Sequence, residues 1–253
     1  MVTKKELTEF AQIIYECRGF TDKIKVTDEK SMKYLFLILY SKSLLSICEI
    51  YTLLIAGYPE GAMALARNTY ETIVIMTYLY DHRNDQELIN RFYDDYSVKI
   101  CQDDIEYFEW IIANGKGSEY TYRMLKERKD EYMTLLKRYS TYASKKKDTT
   151  YFKQYWWAGG MSFNQLRIRA NYSHNYLYNL SCYRVHAGMT GMETFDNIEE
   201  GLLIGSCEGG KEDPFFFALL NFSIATKFFC NIQSIDCSAV FARMENLIRI
   251  INI

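Results

Sequence analysis

Proline is nearly absent from this chain, and the common nucleotide-binding motifs are missing. Pro59 and Pro214 are the only two prolines, and each stands where a helix would begin, a position at which the missing N–H costs nothing. No glycine-rich phosphate loop of the Walker or dinucleotide type occurs, which sets aside nucleotide folds with parallel sheets. Together with a hydrophobic content of 49%, the scarcity of proline predicts an all-α protein with a substantial core.

Paired cysteines and an export signal are also lacking. The seven cysteines are scattered singly with no C-x-x-C pair, and their odd number argues against a disulfide framework. Lys4, Lys5 and Glu6 interrupt the N-terminal segment, where a signal peptide would need an apolar run. The net charge of -2 lacks the basic excess of a typical duplex-binding protein. We therefore predict a cytoplasmic protein, for which nucleic acid is neither required nor excluded.

The familiar metal motifs are missing as well. Acidic residues on the predicted fourth helix could approach a histidine, namely Asp94, Asp95, Asp103, Asp104 and Glu106. However, the sequence has no H-E-x-x-H and no Glu-x-x-His pair of the ferritin type. We predict neither a metal nor an organic cofactor.

Apolar residues recur at helical spacing along most of the chain. A first helix is predicted to end at Gly19, and a second one, from near Asp28 to Gly57, forms an antiparallel hairpin with a third over residues 28–81. Three further helices follow: from an N-cap at Asn84 to Asn114, from Ser118 to about Ala143, and from Ser162 to about His186. The second helix is apolar on more than one face. Because Lys33, Lys42 and Glu49 divide it, a buried core helix is favoured over a membrane span.

Two stretches interrupt this pattern. Periodicity is lost between Ser144 and Ser162, which predicts a functional loop, and residues 188–213 form a glycine-rich loop. Helices then resume over residues 214–253, with a break near Asp236. The organisation predicts a single helical domain over residues 1–253, a bundle of about seven to nine helices built on the central hairpin.

Polar chemistry is concentrated between Trp156 and His186. This stretch holds two of the three histidines, four tyrosines and three arginines. Far away on the third helix, Arg67 and Glu71 lie four residues apart and so share one face. Two interpretations of that pair stay open: an ordinary surface ion pair, or a buried pair that marks a functional site.

One resemblance joins these regions. The helix segment ARNTYET, a later tryptophan-containing loop and the segment YNLSCYRVH resemble a bacterial family of unknown function, domain-of-unknown-function family 5677. The likeness spans roughly residues 30 to 190, within a family-like core over 28–190. It implies an all-helical fold without an established activity. The family's motif residues correspond to five positions here, Arg67, Glu71, Tyr176, Ser181 and His186.

A second resemblance rests on six residues. The string RANYSH, with Arg169 and His174, is similar to the Arg-x4-6-His motif of the HEPN superfamily. That superfamily includes metal-independent RNases of toxin and phage-defence systems that act as homodimers. The resemblance implies acid–base cleavage of RNA with the 2′-hydroxyl as nucleophile. On one ideal helix His174 and His186 would lie about 120° apart, so both would not point into one small pocket without a kink.

The leading hypothesis is a HEPN-like helical effector, a homodimer acting on RNA or a nucleotide without stable membrane insertion. His186 is the stronger histidine candidate, because the dipole at a helix end favours its charged form. We expect it to act with Arg67 and Glu71, and Arg169 with His174 is the alternative catalytic pair. Charges and rings suited to RNA predict a substrate-binding set of Ser181, Tyr176, Trp157 and Arg184. The sequence leaves open whether the protein is an enzyme; the alternative is a non-catalytic helical protein that binds a partner or small ligand.

Overall fold

The computed structural model describes residues 2–25, 28–146, 149–170, 177–179, 181–182 and 210–251. In these ranges the chain is almost entirely helical, which confirms the predicted all-α class. The α-helices are α1 (Lys4–Thr21), α2 (Met32–Ala56), α3 (Pro59–Asp81), α4 (Gln86–Ala113), α5 (Glu119–Arg138), α6 (Phe163–Arg169), α7 (Glu212–Gln233) and α8 (Ser238–Ile251). Residues 177–179 and 181–182 are also helical.

The chain divides into two compact units. The first contains residues 1–81 and 170–253, and the second contains residues 82–169. The predicted glycine-rich loop lies mostly outside the described residues, which resume at Gly210. The single-domain organisation stays a prediction.

Helices α2, α3 and α7 pack against one another at the centre of the first unit, with α1 and α8 alongside. The Tyr40 ring on α2 stacks on two rings of α7, with centroid distances of 4.0 Å to Phe229 and 6.0 Å to Phe222. The buried Asn221 side chain of α7 donates to the Ala66 carbonyl of α3 over 3.3 Å. The predicted hairpin of α2 and α3 is thus closed by a helix from the other end of the chain.

Local sequence signals explain most helix ends. Gly57 ends α2 in the left-handed conformation (φ 79°), as predicted, because glycine reaches positive φ without a Cβ clash. Gly19 does not end α1, which continues to Thr21. The N-cap of α4 is Asp85 instead of Asn84, since the Asp85 carboxylate accepts from the Leu88 amide over 3.0 Å. The first turn of α7 begins at Glu212, two residues before Pro214.

Among the helices that the structure describes, two are long and apolar enough to cross a membrane by length and composition, namely α2 and α7. In their most apolar windows, 39% of the α2 residues and 61% of the α7 residues are buried inside the protein. Core helices of globular proteins meet the same criterion. The absence of stable membrane insertion therefore stays a prediction.

The second unit consists of the antiparallel pair α4 and α5, followed by a compact segment. Residues 144–162, predicted as a loop, contain a small antiparallel hairpin of β1 (Ser144–Lys146) and β2 (Thr149–Tyr151) and a 3-10 helix over Trp156–Ala158. The Trp156 ring packs on Phe152 and Tyr139 at centroid distances of 4.4 and 5.0 Å. The segment is therefore a folded part of this unit's core.

Candidate functional site

Helix α3 presents three polar or aromatic side chains on one face, at Arg67, Tyr70 and Glu71. The spacing of three and four residues places them side by side. Arg67 Nε lies 3.4 Å from Glu71 Oε1, with side-chain exposures of 19% for Arg67 and 36% for Glu71. The guanidinium is thus mostly buried while the carboxylate stays at the surface. The pair is neither fully solvated nor fully buried, so it falls between the two interpretations of the sequence.

Tyr178 covers the Arg67 guanidinium. The Arg67 guanidinium carbon lies 5.6 Å from the centroid of the Tyr178 ring, within the range of a cation–π interaction. Tyr178 also contacts Tyr70, whose ring stacks on it at a centroid distance of 4.9 Å, and Tyr70 in turn contacts Phe217 of α7 at 5.5 Å. We call this row of rings, Phe217, Tyr70 and Tyr178, the ring column. It holds Tyr178 against α3.

Arg67 is a cation with an unused donor. Burial lowers its pKa, but the neighbouring Cys182, Tyr178 and Glu71 side chains more than offset this, so its pKa is raised overall. Its Nε is buried and forms no hydrogen bond with the residues described in the structure. The contact with Glu71 lies within ion-pair distance but does not satisfy this N–H. Because a buried donor without an acceptor is costly, the site favours an additional oxygen ligand.

The hydroxyl of Tyr178 is held in its neutral form. Burial raises its pKa, the nearby Cys182 and Glu71 side chains raise it further, and Arg67 partly offsets the effect. Tyr178 can therefore donate a hydrogen bond at neutral pH. A neutral phenol beside an arginine leaves the positive charge of the arginine available to an anion.

Ser181 lies on the helical turn that follows Tyr178. It is completely buried, and its hydroxyl donates to the Tyr178 carbonyl over 2.6 Å. Its donor hydrogen therefore goes to the backbone of the same turn. Ser181 supports the segment that carries Tyr178, and its predicted contact with a substrate stays a prediction.

The comparison with protein families places this site in context. The model described as "Family of unknown function (DUF5677)" matches residues 33–201, about two thirds of the chain. The chain belongs to this family. No curated protein and no solved structure matches it significantly. The comparisons do not confirm the resemblance to the HEPN superfamily.

We call the group around the Arg67 side chain the Arg67 site; it consists of Arg67, Tyr70, Glu71, Tyr178, Ser181, Cys182 and Phe217. The range matched by the DUF5677 model contains all of these residues except Phe217. Arg67 and Glu71 come from one part of the matched range and Tyr178 from a distant part, and the structure brings them together in the first unit. The ring column extends this contact to α7, which lies beyond the matched residues. Among the predicted motif residues, Arg67 and Glu71 thus lie side by side next to Tyr178, and Ser181 bonds the Tyr178 carbonyl.

Two predicted site residues of this DUF5677 protein lie in the second unit. Trp157 is only 1% exposed and packs edge-on against Phe92 at 4.8 Å. Its carbonyl accepts from Arg91 Nε over 3.0 Å, so the residue is held from both sides by α4. Arg169 is the exposed last residue of α6. The predicted roles of Trp157 and Arg169 in binding and catalysis stay predictions.

Four other predicted residues, His174, His186, Tyr176 and Arg184, lie outside the described residues. Both histidine hypotheses therefore stay predictions. Among the residues that the structure describes, no group of three or more His, Cys, Asp or Glu side chains is arranged to hold a metal ion.

Sequence reasoning missed Tyr70, Tyr178 and Cys182 as members of the site. Tyr70 could have been found, since it stands three residues after Arg67 and so shares its helix face. Nothing in the local pattern distinguishes Tyr178 from the other tyrosines of the Trp156–His186 stretch. Its position over Arg67 depends on a tertiary contact between distant segments.

Proposed function

We propose that this DUF5677 protein is a cytoplasmic helical effector that acts on RNA or a nucleotide, and that Arg67 binds a phosphate of that substrate. The observation that carries the proposal is the state of the guanidinium. It is mostly buried, cationic and stacked on Tyr178, and its Nε lacks a hydrogen bond among the described residues.

Phosphate fits this arrangement better than a neutral ligand does. A guanidinium offers a planar fork of N–H donors that matches two phosphate oxygens, and partial burial strengthens the interaction. The neutral Tyr178 phenol brings no negative charge to the guanidinium, so it does not repel a bound anion. Glu71, four residues from Arg67, orients the guanidinium without neutralising it completely, because the carboxylate is more exposed.

A histidine would supply the proton transfers. In the sequence His186 follows Cys182 by four residues and His174 precedes Tyr178 by four, so both histidines flank the segment that covers Arg67. In the proposed reaction the histidine removes the proton of the 2′-hydroxyl, whose oxygen attacks the adjacent phosphorus, while Arg67 stabilises the charge that develops on the phosphoryl oxygens. The bond from phosphorus to the 5′-oxygen breaks, the leaving 5′-oxygen takes the proton from the histidinium, and a 2′,3′-cyclic phosphate remains on the other fragment. A nuclease of this kind needs no metal. Such a reaction is that of the metal-independent RNases of toxin and phage-defence systems, which is the class proposed here.

The test is incubation of the purified protein with total RNA and with nucleoside triphosphates, with EDTA and with magnesium. We expect RNA cleavage that falls at least about 100-fold in His186→Ala or in His174→Ala, whichever histidine is the base. Arg67→Lys should reduce the rate strongly, since lysine keeps the charge and loses the fork. Arg138→Lys, at an exposed position in the second unit, is the matched control.

An RNA pool and nucleotides that stay intact under both conditions would contradict the proposal. If the same substitutions instead lower the melting temperature or the affinity for a partner while no turnover exists, the protein is a non-catalytic binding protein. Melting curves of every variant separate loss of the site from loss of the fold.

A further inference from the structure

The outer face of α4 carries a row of exposed aromatic side chains. Tyr96, Tyr107 and Trp110 are 71%, 57% and 56% exposed. They are spaced by 11 and three residues, which places all three within about 60° of the helix circumference and along about 21 Å of its length. Ile100, which is partly exposed, lies in the same row. We call these four residues the α4 stripe.

The α4 stripe points away from α5. The contacts with α5 come from other positions around α4: Asp94 pairs with Arg138 over 3.1 Å, and Glu109 pairs with Lys129 over 2.7 Å. On the helical wheel those positions lie on the far side of α4 from the stripe. The partner helix within this unit therefore leaves the stripe uncovered.

The surroundings of the stripe are acidic. Asp103 and Glu106 lie beside Tyr107 and Trp110, and neither forms an ion pair with another residue in the described part of the chain. The one lysine of α4, Lys99, is paired with Asp95 over 2.6 Å. Over its whole length α4 carries seven acidic and two basic residues. Five of the seven pair with arginine or lysine, so the negative charge beside the stripe comes from Asp103 and Glu106.

Exposed aromatic rings beside acidic residues indicate which kind of partner fits the α4 stripe. We propose that the α4 stripe docks a basic amphipathic helix of another protein. Residues 96, 100, 107 and 110 are separated by four, seven and three residues. These are the spacings with which the side chains of one helix pack along another helix. Exposed tryptophan and tyrosine are the residue types that dominate binding energy at interfaces.

The charges favour a basic helix over other occupants. Lysine or arginine from the partner can lie over the Trp110 and Tyr107 rings and pair with Asp103 and Glu106. RNA and an anionic membrane would bring like charge to the same surface. A second copy joined about a two-fold axis through the stripe would bring α4 onto α4, with its acidic residues facing one another. The docking surface is thus distinct from the Arg67 site, and its occupant has the opposite charge.

The experiment uses the full chain and two synthetic helical peptides about 20 residues long, with the same leucine stripe and either lysine or glutamate on the flanks. Binding is measured by calorimetry at near-physiological and high salt. We expect the lysine peptide to bind and the glutamate peptide to bind at least tenfold more weakly. Trp110→Ala combined with Tyr107→Ala should weaken binding of the lysine peptide at least tenfold, and Asp103→Lys with Glu106→Lys should reverse the preference. Tyr15→Ala, at a 79% exposed tyrosine of α1, is the matched control and should change nothing.

Three results would overturn the inference. Equal binding of the two peptides, or binding that survives the Trp110 and Tyr107 substitutions, removes the stripe as the docking surface. A concentration-dependent dimer in sedimentation that disappears with Trp110→Ala assigns the stripe to a second copy of this chain. Binding of RNA or of phosphatidylserine vesicles that is lost with the same substitution assigns it to an anionic partner.

Discussion

We expect that replacing Arg91 by methionine destabilises the second unit more than a substitution at any exposed position of α4 does. The Arg91 side chain is buried, and its Nε donates to the Trp157 carbonyl over 3.0 Å. Its Nη1 donates to the Tyr142 hydroxyl and to Glu87 Oε1, both over 2.8 Å. The guanidinium carbon lies 4.2 Å from the centroid of the Tyr142 ring. One side chain thus connects α4 with the segment that contains the tryptophan pair.

The size of the effect follows from these contacts. The charged hydrogen bond to the Trp157 carbonyl is buried, and its loss costs about 1.5–3 kcal/mol. The contacts with Tyr142 add about 1 kcal/mol. Glu87 is exposed, so its ion pair contributes less than about 1 kcal/mol. Because methionine retains most of the stem packing, we expect Arg91→Met to lower the free energy of unfolding by about 2–4 kcal/mol.

Tryptophan fluorescence during urea denaturation measures this directly. All three tryptophans, Trp110, Trp156 and Trp157, belong to the second unit, so the signal reports on that unit. The control is Arg138→Met, which removes an exposed arginine that pairs with Asp94 and should cost less than about 1 kcal/mol. A loss for Arg91→Met no larger than that of the control would refute the role of Arg91 as the link to the tryptophan segment.

Two further predictions concern buried ionisable groups. Burial raises the pKa of Asp95 above its ordinary value of 3.8, and Lys99 and the Trp156 indole offset only part of this, so the folded state binds the proton more tightly than the unfolded state. The stabilisation from protonated Asp95 is therefore lost as the pH rises from the pKa of the unfolded state through the pKa of the folded state. Asp95→Asn should abolish this fall in the free energy of unfolding in denaturation curves recorded from about pH 4 upward. An identical pH dependence in the variant would contradict the assignment. Burial also raises the pKa of the Cys17 thiol to about 12, so iodoacetamide at about pH 8 should modify Cys48 well before Cys17. Mass spectrometry of the labelled peptides checks the order, and equal labelling rates in the native protein would show that Cys17 is accessible.

The ends of helices were predictable where a single side chain or glycine sets them. Gly57 ends α2 and Ser118 caps α5 as the sequence indicates, because a positive φ and an N-cap hydroxyl are local requirements. Asn84 and Asp85 are both good N-caps, so the choice between them depends on how the chain enters α4. Local signals therefore predict that a helix begins at this point, and the predicted N-cap differs from the observed one by one residue.

The segment 144–162 was not predictable as folded structure. Its lysines and glycines indicate a loop, yet its two tryptophans are buried against other rings, and an arginine of α4 bonds the Trp157 carbonyl. The decisive residue, Arg91, stands more than 60 positions earlier along the chain. A tertiary hydrogen bond of this kind leaves no periodicity in either segment.

The same reasoning applies to the Arg67 site. The four-residue spacing of Arg67 and Glu71 predicted one face of α3, and the structure places both there. The ring of Tyr178 arrives from a separate segment, so its contact with the guanidinium could not be deduced from spacing.

The ring column belongs both to the Arg67 site and to the core of the first unit. Phe217 belongs to a buried helix, Tyr70 is completely buried, and Tyr178 touches the guanidinium. A change of volume at Phe217 would therefore be transmitted through two rings to the cation that is proposed to hold phosphate. Along this face of α3 there is no boundary between residues that maintain the fold and residues that set the site, and selection on either property acts on both.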